Sequence, residues 1–417
     1  MIGSELPKGW KLVPLKEITS IIRGVSYPKE EAKLHPEENY VHILRGGNIQ
    51  DGKIVFETDD NVYVNSSLVG EEQFVFKDDV VIVASTGSKK VIGKAATIEE
   101  DSRCISFGAF LLLLRTNVID KRFHSYFFQT QYYRNTISSL AGGININNIK
   151  KEHIENLQIP LPPLTEQKQI AEKLDKLFDQ IETIKEASNK IPELLKNFRQ
   201  QVLTYAVTGK LIESTPEPRM LGELIDELKY GTSKKADYDI EGFPVLRIPN
   251  INNGEIDSSD LKYVPLDDKE YNQLALQEGD ILVIRSNGSL SIVGQCAIVR
   301  KECENWVYAG YLIRIRCTLE LLPEYLNYIF QSYQVRKQIV EKSHSMSGVN
   351  NFSADKIKQL EIAWYPVEVQ KQIVDKLNSI FGKLNEIEKQ YNTLCEKLEK
   401  LPQTLLCKAF KGELVYD

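Results

Sequence analysis

The chain contains one unit twice, about two hundred residues apart, and each copy ends in the pattern of a long helix. In the first copy, a series of positions from Ile170 to Val202 follows alternating steps of four and three, and all of them except Ser188 are apolar or aromatic. Adding 203 to each position gives a second series, from Ile373 to Leu405. This spacing is the 3.5-residue repeat of a coiled coil, whose apolar seam faces a partner helix. We therefore expect the two helices to pair with each other.

The duplication reaches well beyond these helices. Residues 44–49 (LRGGNI) match residues 246–251 (LRIPNI), and residues 79–82 (DVVI) match residues 280–283 (DILV). The helices also end alike, in the sequences AVTGKL and AFKGEL. From residue 44 to the end of the first helix, the offset between matched positions drifts only from 201 to 205. This period is far longer than that of a solenoid repeat, so the sequence predicts a tandem of two domains.

Composition limits the class of protein. Hydrophobic residues make up 42% of the 417 residues, which is enough for packed cores. The apolar run at residues 110–114 is too short to cross a bilayer, and residues 1–5 lack the pattern of a signal peptide. The six cysteines include no C-x-x-C pair, which favours reduced thiols in a cytoplasmic protein. The net charge of −6 argues against non-specific coating of nucleic acid but not against local basic patches.

Each half is predicted to begin with an α/β domain. Short apolar runs at residues 80–84, which are β-branched, and at residues 110–114, near Gly, Asn and Asp, are typical of strands. Residues 124–139 predict a helix, and residues 322–342 predict its counterpart in the second copy.

Prolines interrupt both long helix patterns. The first helix is predicted to begin near Thr165 and to stop at Gly209, and the second to stop at Gly412. Pro192 lies within the first pattern and Pro402 within the second, at positions that do not correspond. An interior proline kinks or ends a helix. Because the apolar frame keeps its phase across each proline, we predict continuous but bent helices.

The connection between the copies bears on how the helices pair. Residues 213–218 form a short, polar, proline-rich linker. The end of the first helix lies far from its own domain, so a short linker requires the second domain to begin at that far end. The sequence therefore predicts antiparallel helices, with the two halves related by a pseudo-twofold axis.

No catalytic set is evident in the sequence. The five histidines are scattered, and none is shared by the two copies, which makes a histidine-based site improbable. Residues 87–95 (GSKKVIGKA) have five residues between the glycines, where a phosphate-binding loop needs four, and Ala95 replaces the Mg²⁺-binding hydroxyl. We therefore expect a protein that is not itself an enzyme.

Three further segments resemble one protein family. They are residues 6–18 (LPKGWKLVPLKEI), residues 159–170 (IPLPPLTEQKQI) and residues 200–211 (QQVLTYAVTGKL). In this order and spacing they resemble the specificity subunits of type I restriction-modification systems, over nearly the whole chain. The second copy departs at residues 364–370 (WYPVEVQ), which lose one proline and carry Val369 where the first copy has Glu166.

The resemblance implies a fold class and domain bounds. The fold class is α/β (α+β), with two target-recognition domains separated by two long antiparallel coiled-coil helices in a pseudo-twofold internal repeat. The implied segments are target-recognition domain 1 at 1–160, conserved helix 1 at 161–211, a linker at 212–219, target-recognition domain 2 at 220–362 and conserved helix 2 at 363–414.

The resemblance also implies a function. Each domain would read one half of an asymmetric, bipartite site in double-stranded DNA, and the coiled coil would measure the unread spacer. The chain would recruit two adenine-N6 methyltransferase subunits and two ATP-dependent translocating nuclease (restriction) subunits. No cofactor is expected in this chain, because S-adenosylmethionine, ATP and Mg²⁺ would bind the partner subunits. No membrane association is expected.

Two matched pairs of loops are candidate DNA contacts. Residues 85–90 (STGSKK) and 285–289 (RSNGS) follow apolar strands and combine hydroxyl, amide and cationic groups, which suit phosphates and base edges. The loops after Gly24 and Gly231 form the second pair. An ordinary solvated loop is the alternative for both pairs. The candidate residues are Lys29, Ser88, Lys89, Lys90, Lys234, Lys235, Arg285, Ser286 and Asn287. Beside glycines, Asn145, Asn147 and Asn148 match Asn350 and Asn351, and turn chemistry explains them as well as DNA contact does.

Phe178 and Phe381 occupy equivalent positions one step off the seam. They widen the apolar stripe, so we hypothesise that they dock methyltransferase helices into a larger bundle. The alternative is that each packs on the adjacent α/β domain.

Two rival functions remain open. A tandem protein- or glycan-binding coiled-coil scaffold is favoured by the acidic isoelectric point of about 5.7. An enzyme with an unrecognised active site would need matched polar residues in both copies, yet the matched residues are mostly Gly, Asn and apolar.

Overall fold

The computed structural model describes residues 6–50, 52–56, 61–141, 147–343 and 350–414. The chain forms two compact units, residues 1–188 with 393–417 (unit 1) and residues 189–392 (unit 2). Each unit contains one α/β domain and the beginning of the long helix that follows it. Each also contains the end of the other copy's long helix.

Unit 1 contains the first α/β domain. Its strands are β1 (Lys11–Pro14), β2 (Ser20–Arg23), β3 (Tyr40–Leu44), β4 (Ile49–Gln50), β5 (Lys53–Ile54), β6 (Val62–Asn65), β7 (Val80–Val83), β8 (Ser85–Thr86), β9 (Ala95–Thr97), β10 (Ile105–Phe107), β11 (Leu111–Arg115), β12 (Asn147–Asn148) and β13 (Gln158–Leu161). Its helices are α1 (Lys121–Gln129), α2 (Gln131–Leu140), α3 (Lys151–Glu155) and α4 (Leu164–Ser188).

Unit 2 repeats this order of elements after the end of the first long helix, with one added helix, α6. Its helices are α5 (Ile191–Val207), α6 (Asp268–Leu274), α7 (Pro323–Phe330), α8 (Tyr333–Ser343), α9 (Ala354–Lys358) and α10 (Val367–Phe410), whose last part belongs to unit 1. Its strands are β14 (Glu217–Met220), β15 (Ile225–Tyr230), β16 (Phe243–Leu246), β17 (Ile251–Asn252), β18 (Glu255–Ile256), β19 (Lys262–Val264), β20 (Ile281–Ile284), β21 (Ser286–Asn287), β22 (Cys296–Ile298), β23 (Val307–Tyr308), β24 (Leu312–Cys317), β25 (Asn350–Asn351) and β26 (Glu361–Trp364).

The two domains share one sheet topology. A four-stranded antiparallel sheet has the order β2-β11-β7-β9 in unit 1 and β15-β24-β20-β22 in unit 2. A three-stranded mixed sheet has the order β10-β3-β6 in unit 1 and β19-β16-β23 in unit 2. In each domain, the last strand pairs antiparallel with the first, β13 with β1 and β26 with β14. The chain therefore enters its long helix close to where the domain began.

The last residues of the predicted linker (212–219) belong to an ordered strand. β14 begins at Glu217 and pairs with β26 over its whole length. The linker is therefore shorter than the composition of residues 213–218 indicates.

The long helices pair antiparallel inside each unit. In unit 1, Lys173 Nζ near the start of α4 donates to the carbonyl of Leu414, just beyond α10 (2.5 Å). In unit 2, Lys376 Nζ donates to the carbonyl of Leu211 (3.1 Å), and Arg199 Nη2 donates to Asn385 Oδ1 (2.7 Å). The predicted antiparallel arrangement is confirmed within each unit, and the lysine contact repeats at the 203-residue offset.

The prediction of two continuous helices is wrong for the first and right for the second. The first helix breaks between Ser188 and Ile191, whereas α10 continues through Pro402. Pro192 lacks an N–H to donate to the carbonyl of Ser188, and its ring crowds that carbonyl. At the second position of α5, the missing N–H costs nothing.

The predicted seam is only partly buried. Ile170, Leu174, Ile373 and Leu377 are each 0% exposed. Mid-helix seam positions are more open, as for Ile184 at 44%. A straight helix drifts about 20° per heptad relative to a strict seven-residue repeat, so a seam that is buried at the helix start turns outward further along. The other open seam positions are Phe198, Ile387, Leu394 and Leu401.

Each single helix predicted in the α/β domains is a pair of shorter helices. Thr130 separates α1 from α2, and Ser332 lies at the same place between α7 and α8. Both hydroxyls donate to a carbonyl three residues earlier, at 2.7 Å for Thr130 and 2.6 Å for Ser332. Thr130 Oγ1 also accepts from Tyr133 N, which caps the next helix (3.2 Å). A side chain that bonds both helix ends stabilises a turn in place of a continuous helix.

Candidate nucleic-acid interface

Three loops leave the four-stranded sheet of unit 1 at the same edge. The start of β11 pairs with the ends of both neighbours, since Leu112 lies opposite Arg23 of β2 and Leu111 lies opposite Val83 of β7. The loop after β2 is joined to the β10–β11 turn, where Val25 forms a bridge with Gly108. The predicted loops at residues 24–29 and 85–90 therefore flank one turn, residues 108–110.

Unit 2 has the same arrangement. Ile313 of β24 lies opposite Tyr230 of β15, and Leu312 lies opposite Ile284 of β20. Thr232 bridges Ala309, and its carbonyl accepts a hydrogen bond from Gly310 N (2.7 Å). The two loop families were predicted independently, and the fold brings them together in both domains.

In unit 1 the loop carries its positive charge at its tip. Ser88, Lys89 and Lys90 are all exposed. In the described part of the chain, neither lysine ammonium has a hydrogen-bond or ion-pair partner. The loop itself is held in place, because Arg134 of α2 donates to the carbonyls of Ile92 (2.6 Å) and Lys90 (3.2 Å). The lysines are thus free charges on an anchored loop.

In unit 2 the positive charge lies at the base of the loop. Ser286 pairs with Asn351 just as Ser85 pairs with Asn148. Arg285 of unit 2 therefore corresponds to Ala84 of unit 1 and not to Ser85. The Arg285 guanidinium donates through Nε to the carbonyl of Gly310 (2.8 Å) and lies 4.8 Å from the Tyr230 ring centroid. Asn287 Oδ1 accepts from Ser289 N (2.9 Å), and Ser286 and Asn287 are half-buried.

The second loop family gives a mixed result. Lys29 begins a short 3₁₀ turn (Lys29–Glu31) and is exposed, as is Lys235. Lys234 forms an ion pair with Glu270 at the start of α6. Its charge is already neutralised, so Lys29 and Lys235 are the better candidates for contact with a phosphate.

The matched asparagines shape the first loop family. Asn147 Nδ2 donates to the carbonyl of Thr86 (3.4 Å), and Asn350 Nδ2 donates to the carbonyl of Gly288 (3.0 Å). Both side chains are buried, at 5% and 7% exposure. They hold the loop from within, which agrees with turn chemistry. Asn148 and Asn351 belong to the short strands β12 and β25, which pair with β8 and β21. Asn145 lies outside the described residues.

Sequence reasoning missed the arginine that anchors each loop. Arg336 of α8 donates to the carbonyls of Val293 (2.8 Å) and Ser291 (3.1 Å), as Arg134 does in unit 1. Burial lowers the pKa of both arginines from the ordinary value. The signal was present, since the two arginines match at an offset of 202 within helix patterns that otherwise differ.

Phe178 and Phe381 pack on the α/β domains. Phe178 meets Tyr126 of α1 edge-to-face, with ring centroids 5.4 Å apart, and Phe381 meets Tyr328 of α7 at 5.5 Å. Each tyrosine hydroxyl also donates to the long helix, Tyr126 to Asp175 and Tyr328 to Asn378 (both 2.5 Å). This geometry is the alternative packing, and Phe381, at 4% exposure, has almost no surface left for a partner helix.

A buried glutamine fixes the start of each long helix to its domain. Gln167 Oε1 accepts from Asp120 N (2.9 Å), and its Nε2 donates to the carbonyl of Pro162 (2.8 Å). Gln370 Oε1 likewise accepts from Leu322 N (2.8 Å), and its Nε2 donates to the carbonyl of Tyr365 (2.7 Å). The lost proline and Val369 therefore leave this connection of the second copy intact.

The described residues contain no cluster of three or more His, Cys, Asp or Glu side chains placed to hold a metal ion. Within the same residues, no helix is both long and apolar enough to span a membrane.

One family model matches the chain twice, once in each copy. The model described as "Type I restriction modification DNA specificity domain" covers residues 7–193 and again residues 214–397. Together the two matches cover most of the chain, and each contains one α/β domain and most of the long helix that follows it.

Curated relatives match over nearly full length. The chain is 40% identical to the type I restriction enzyme EcoKI specificity subunit of Escherichia coli (strain K12), over 99% of this chain and 91% of that protein. It is 36% identical to the StySPI specificity subunit of Salmonella potsdam over the same shares.

Solved structures share the fold. One, from work titled "Structural basis underlying complex assembly and conformational transition of the type I R-M system", matches with a TM-score of 0.72 and 19% identity, over 99% of this chain and 100% of the other. The crystal structure of the HsdS subunit from Thermoanaerobacter tengcongensis matches with a TM-score of 0.69 and 18% identity, over the same shares.

Proposed function

Because this chain belongs to the family of type I restriction-modification specificity subunits, we propose that it selects a bipartite DNA site for a methyltransferase and nuclease complex. Specificity subunits are the non-catalytic part of such a complex. The observation that carries the proposal is the match of a DNA specificity domain to each α/β copy.

Each α/β domain reads one half of the site. In both domains, the flanking loops present free or stacked cations beside one turn at a sheet edge. The charge lies at the loop tip in unit 1 (Lys89, Lys90) and at the loop base in unit 2 (Arg285). Side chains that differ in type and position contact different base edges, so the two half-sites differ and the site is asymmetric.

The long helices set the unread spacer between the half-sites. At ~1.5 Å per residue, the 44-residue α10 is roughly 66 Å long. Half-sites one turn of B-DNA apart are separated by about 34–36 Å, so a helix of this length is sufficient to span such a site.

The partner subunits carry out catalysis and supply most of the binding affinity for DNA. We assign two adenine-N6 methyltransferase subunits and two ATP-dependent nuclease subunits to the complex. These partners bind S-adenosylmethionine, ATP and Mg²⁺. The net charge of −6 supports this division, because a chain of that charge gains little from non-specific attraction to phosphates.

The exposed face of α5 is a better methyltransferase docking site than Phe178 and Phe381. Leu194, Phe198 and Tyr205 are 62%, 47% and 38% exposed, and their spacing of four and seven places them on one helix face. The corresponding positions on α10 are Lys397, Leu401 and Lys408. The two docking faces therefore differ in apolar area.

The docking assignment predicts a change in subunit stoichiometry. In a Leu194→Glu/Phe198→Glu variant, native mass spectrometry of the complex should show one methyltransferase subunit where the wild type holds two, because a buried carboxylate in an apolar contact is costly. Leu319→Glu, which adds the same charge at a residue that is 97% exposed, serves as the control. An unchanged stoichiometry in the α5 variant would place the docking site elsewhere.

The function itself is tested by mapping N6-methyladenine. The chain is expressed with its methyltransferase partner in a host that lacks other adenine methylation, and the genome is sequenced for modified bases. Methylation of one asymmetric motif with two short halves and an unread gap is expected. A host genome that gains no such motif contradicts the proposal.

A further inference from the structure

One aromatic side chain stands exposed at the same position in both α/β domains. Phe110 is 67% exposed and Tyr311 is 62% exposed, and they are related by an offset of 201. Among the exposed aromatic residues of the described chain, these two are the pair that occupies equivalent positions. An exposed aromatic ring leaves apolar area in contact with water, which does not stabilise the fold. Folding alone therefore does not explain why both domains, which otherwise differ, expose a ring at this position.

Each ring is carried on a rigid backbone. The carbonyl of Phe110 accepts from Ala84 N (2.9 Å) and Ser85 N (3.1 Å), and the carbonyl of Tyr311 accepts from Arg285 N (2.9 Å). Each residue immediately precedes a buried strand of the four-stranded sheet, Leu111–Arg115 or Leu312–Cys317. Because the backbone is already fixed, it does not have to be ordered when the ring meets a ligand, which lowers the entropic cost of binding.

Close backbone approaches fix the turn from the other side. A Cβ atom on Gly24 would lie 2.1 Å from the carbonyl oxygen of Gly108, and one on Gly231 would lie 2.3 Å from that of Tyr308. Only glycine fits at these two positions. The loop after β2 in unit 1, and the loop after β15 in unit 2, therefore contacts the turn that carries the ring.

The surroundings of the ring are those of a base-contacting side chain. In unit 1 the ring is joined through its backbone to the loop that carries Lys89 and Lys90, and in unit 2 to the loop that begins with Arg285. Flanking cations bring a duplex close by neutralising phosphates, and an aromatic ring between them meets the base edges or a base step. Phe110 offers only apolar contact, whereas Tyr311 also offers a hydroxyl.

We propose that Phe110 and Tyr311 contact bases directly and are specificity-determining residues, each for the half-site read by its own domain. This inference rests on the proposed function. Because Phe110 lacks a hydrogen-bonding group, its half-site is selected at that position by apolar contact, as with a thymine methyl group or an unstacked step. Tyr311 adds hydrogen bonding, so the two positions follow different rules.

The test uses the assembled methyltransferase complex on a library of duplexes in which one half-site at a time is randomised. Phe110→Ala is expected to reduce methylation of the cognate site by roughly 10- to 100-fold and to relax preference in one half-site only. Tyr311→Ala is expected to do the same in the other half-site. Tyr311→Phe should retain the apolar contact and lose only the part of the preference that depends on the hydroxyl.

Matched controls lie at the far ends of the same strands. Val118 and Leu319, also related by an offset of 201, are 66% and 97% exposed. The six-residue strand Leu312–Cys317 separates Leu319 from Tyr311 by roughly 20 Å at ~3.3 Å per residue. Val118→Ala and Leu319→Ala should leave the rate and the preference unchanged.

Several outcomes would overturn the base-contact assignment while leaving the function intact. They are a wild-type methylation pattern for both alanine variants, an equal weakening of all duplexes with no change of preference, a loss equal to that of the control variants, or loss of the methyltransferase from the complex. If the wild-type complex itself methylates no bipartite site, the proposed function fails, which is a distinguishable result.

Discussion

The two α/β domains have the same strands but different interiors. In unit 1, Arg115 forms an ion pair with buried Asp79 (2.7 Å), and in unit 2 the matched residues Arg316 and Asp280 do the same (2.8 Å). Unit 2 adds a second arginine, Arg314, which is 1% exposed and replaces an apolar leucine of unit 1. The sheet thus accepts a buried cation in place of a leucine without a change of topology.

The added arginine has one hydrogen-bonded carboxylate, on Glu227, and a second one further away, since Asp280 Oδ2 lies 3.9 Å from Arg314 Nε. Arg314 Nη2 donates to Glu227 (2.6 Å), and its Nη1 donates to the carbonyl of Ala275 (3.0 Å). Glu227 is paired with Arg316 on the neighbouring strand, as Ser20 is paired with Arg115 in unit 1. The buried charge and its partner therefore came as a pair, which is the condition under which a buried ion pair is tolerated.

The largest predicted effect comes from separating this pair. Glu227→Ser should lower the free energy of unfolding of unit 2 by about 3 kcal/mol, since it leaves a buried arginine without its nearest carboxylate. The double variant Glu227→Ser/Arg314→Leu, which imports both residues of unit 1, should recover most of that loss. Denaturant unfolding, with hydrogen exchange of strands Ile281–Ile284 and Leu312–Cys317, measures both changes.

A double variant no more stable than the single one would show that unit 2 cannot accept the apolar interior of unit 1. Hydrogen exchange of strand Val80–Val83 serves as the internal control, because the substitutions lie in the other unit.

A second difference between the domains is a buried histidine. His124 on α1 is 0% exposed, and its Nε2 is hydrogen-bonded to Thr19 Oγ1 (2.8 Å). Burial lowers its pKa to about 3. In unit 2 the corresponding residues are Ile225 and Leu326, which do not titrate.

This histidine predicts pH-dependent stability of unit 1 alone. The unfolded chain binds a proton below the ordinary histidine pKa of about 6.5, whereas the folded chain does not until pH 3. Its contribution to stability is therefore complete above about pH 6.5 and is lost as the pH falls from there. At pH 5 the loss is about 2 kcal/mol, from 1.36 kcal/mol per unit.

Thermal melting between pH 7.5 and pH 5, with hydrogen exchange resolving the two units, measures this effect. Thr19→Ile/His124→Leu imports the apolar pair of unit 2 and should remove most of the additional loss in unit 1. If unit 1 of the double variant keeps its full pH dependence, another group is responsible.

The sequence predicted the repeat and its helices because those depend on local spacing. The apolar run at residues 80–84 predicts the strand Val80–Val83 to within one residue, because an apolar run before a polar loop is a local signal. Breaks in helices were missed where one hydroxyl bonds both flanking turns, as at Thr130. Helix periodicity cannot reveal such a side-chain choice.

The candidate interface was predictable only in pieces. The loops with Lys89 and Arg285 were found from composition, but their convergence on one turn depends on strand register, which is a non-local property. The apolar run places Phe110 in the predicted strand because it adjoins four leucines, whereas the strand begins at Leu111. Composition makes Lys234 a candidate DNA contact, but it does not reveal the ion pair with Glu270, which joins residues 36 positions apart.

The smallest predicted effect concerns one of the residues that distinguish the two helix starts, Glu166 in the first copy and Val369 in the second. In unit 1, Trp10 Nε1 donates to Glu166 Oε1 (3.0 Å), and Trp10 is 6% exposed. In unit 2, Trp364 Nε1 donates instead to the backbone carbonyl of Glu320 (3.1 Å), so Val369 has no indole to bind. The acidic residue therefore serves a tryptophan that only the first copy places beside its helix.

Glu166→Val, which imports the residue of the second copy, should destabilise unit 1 by about 1 kcal/mol, because a mostly buried indole N–H loses its acceptor. The reciprocal change, Val369→Glu, adds a carboxylate where no donor awaits it and should leave the stability of unit 2 within about 0.5 kcal/mol. Denaturant unfolding followed by tryptophan fluorescence measures both. If Val369→Glu stabilised unit 2 by as much as Glu166→Val destabilises unit 1, the acidic residue would act on the start of its helix directly and not through Trp10.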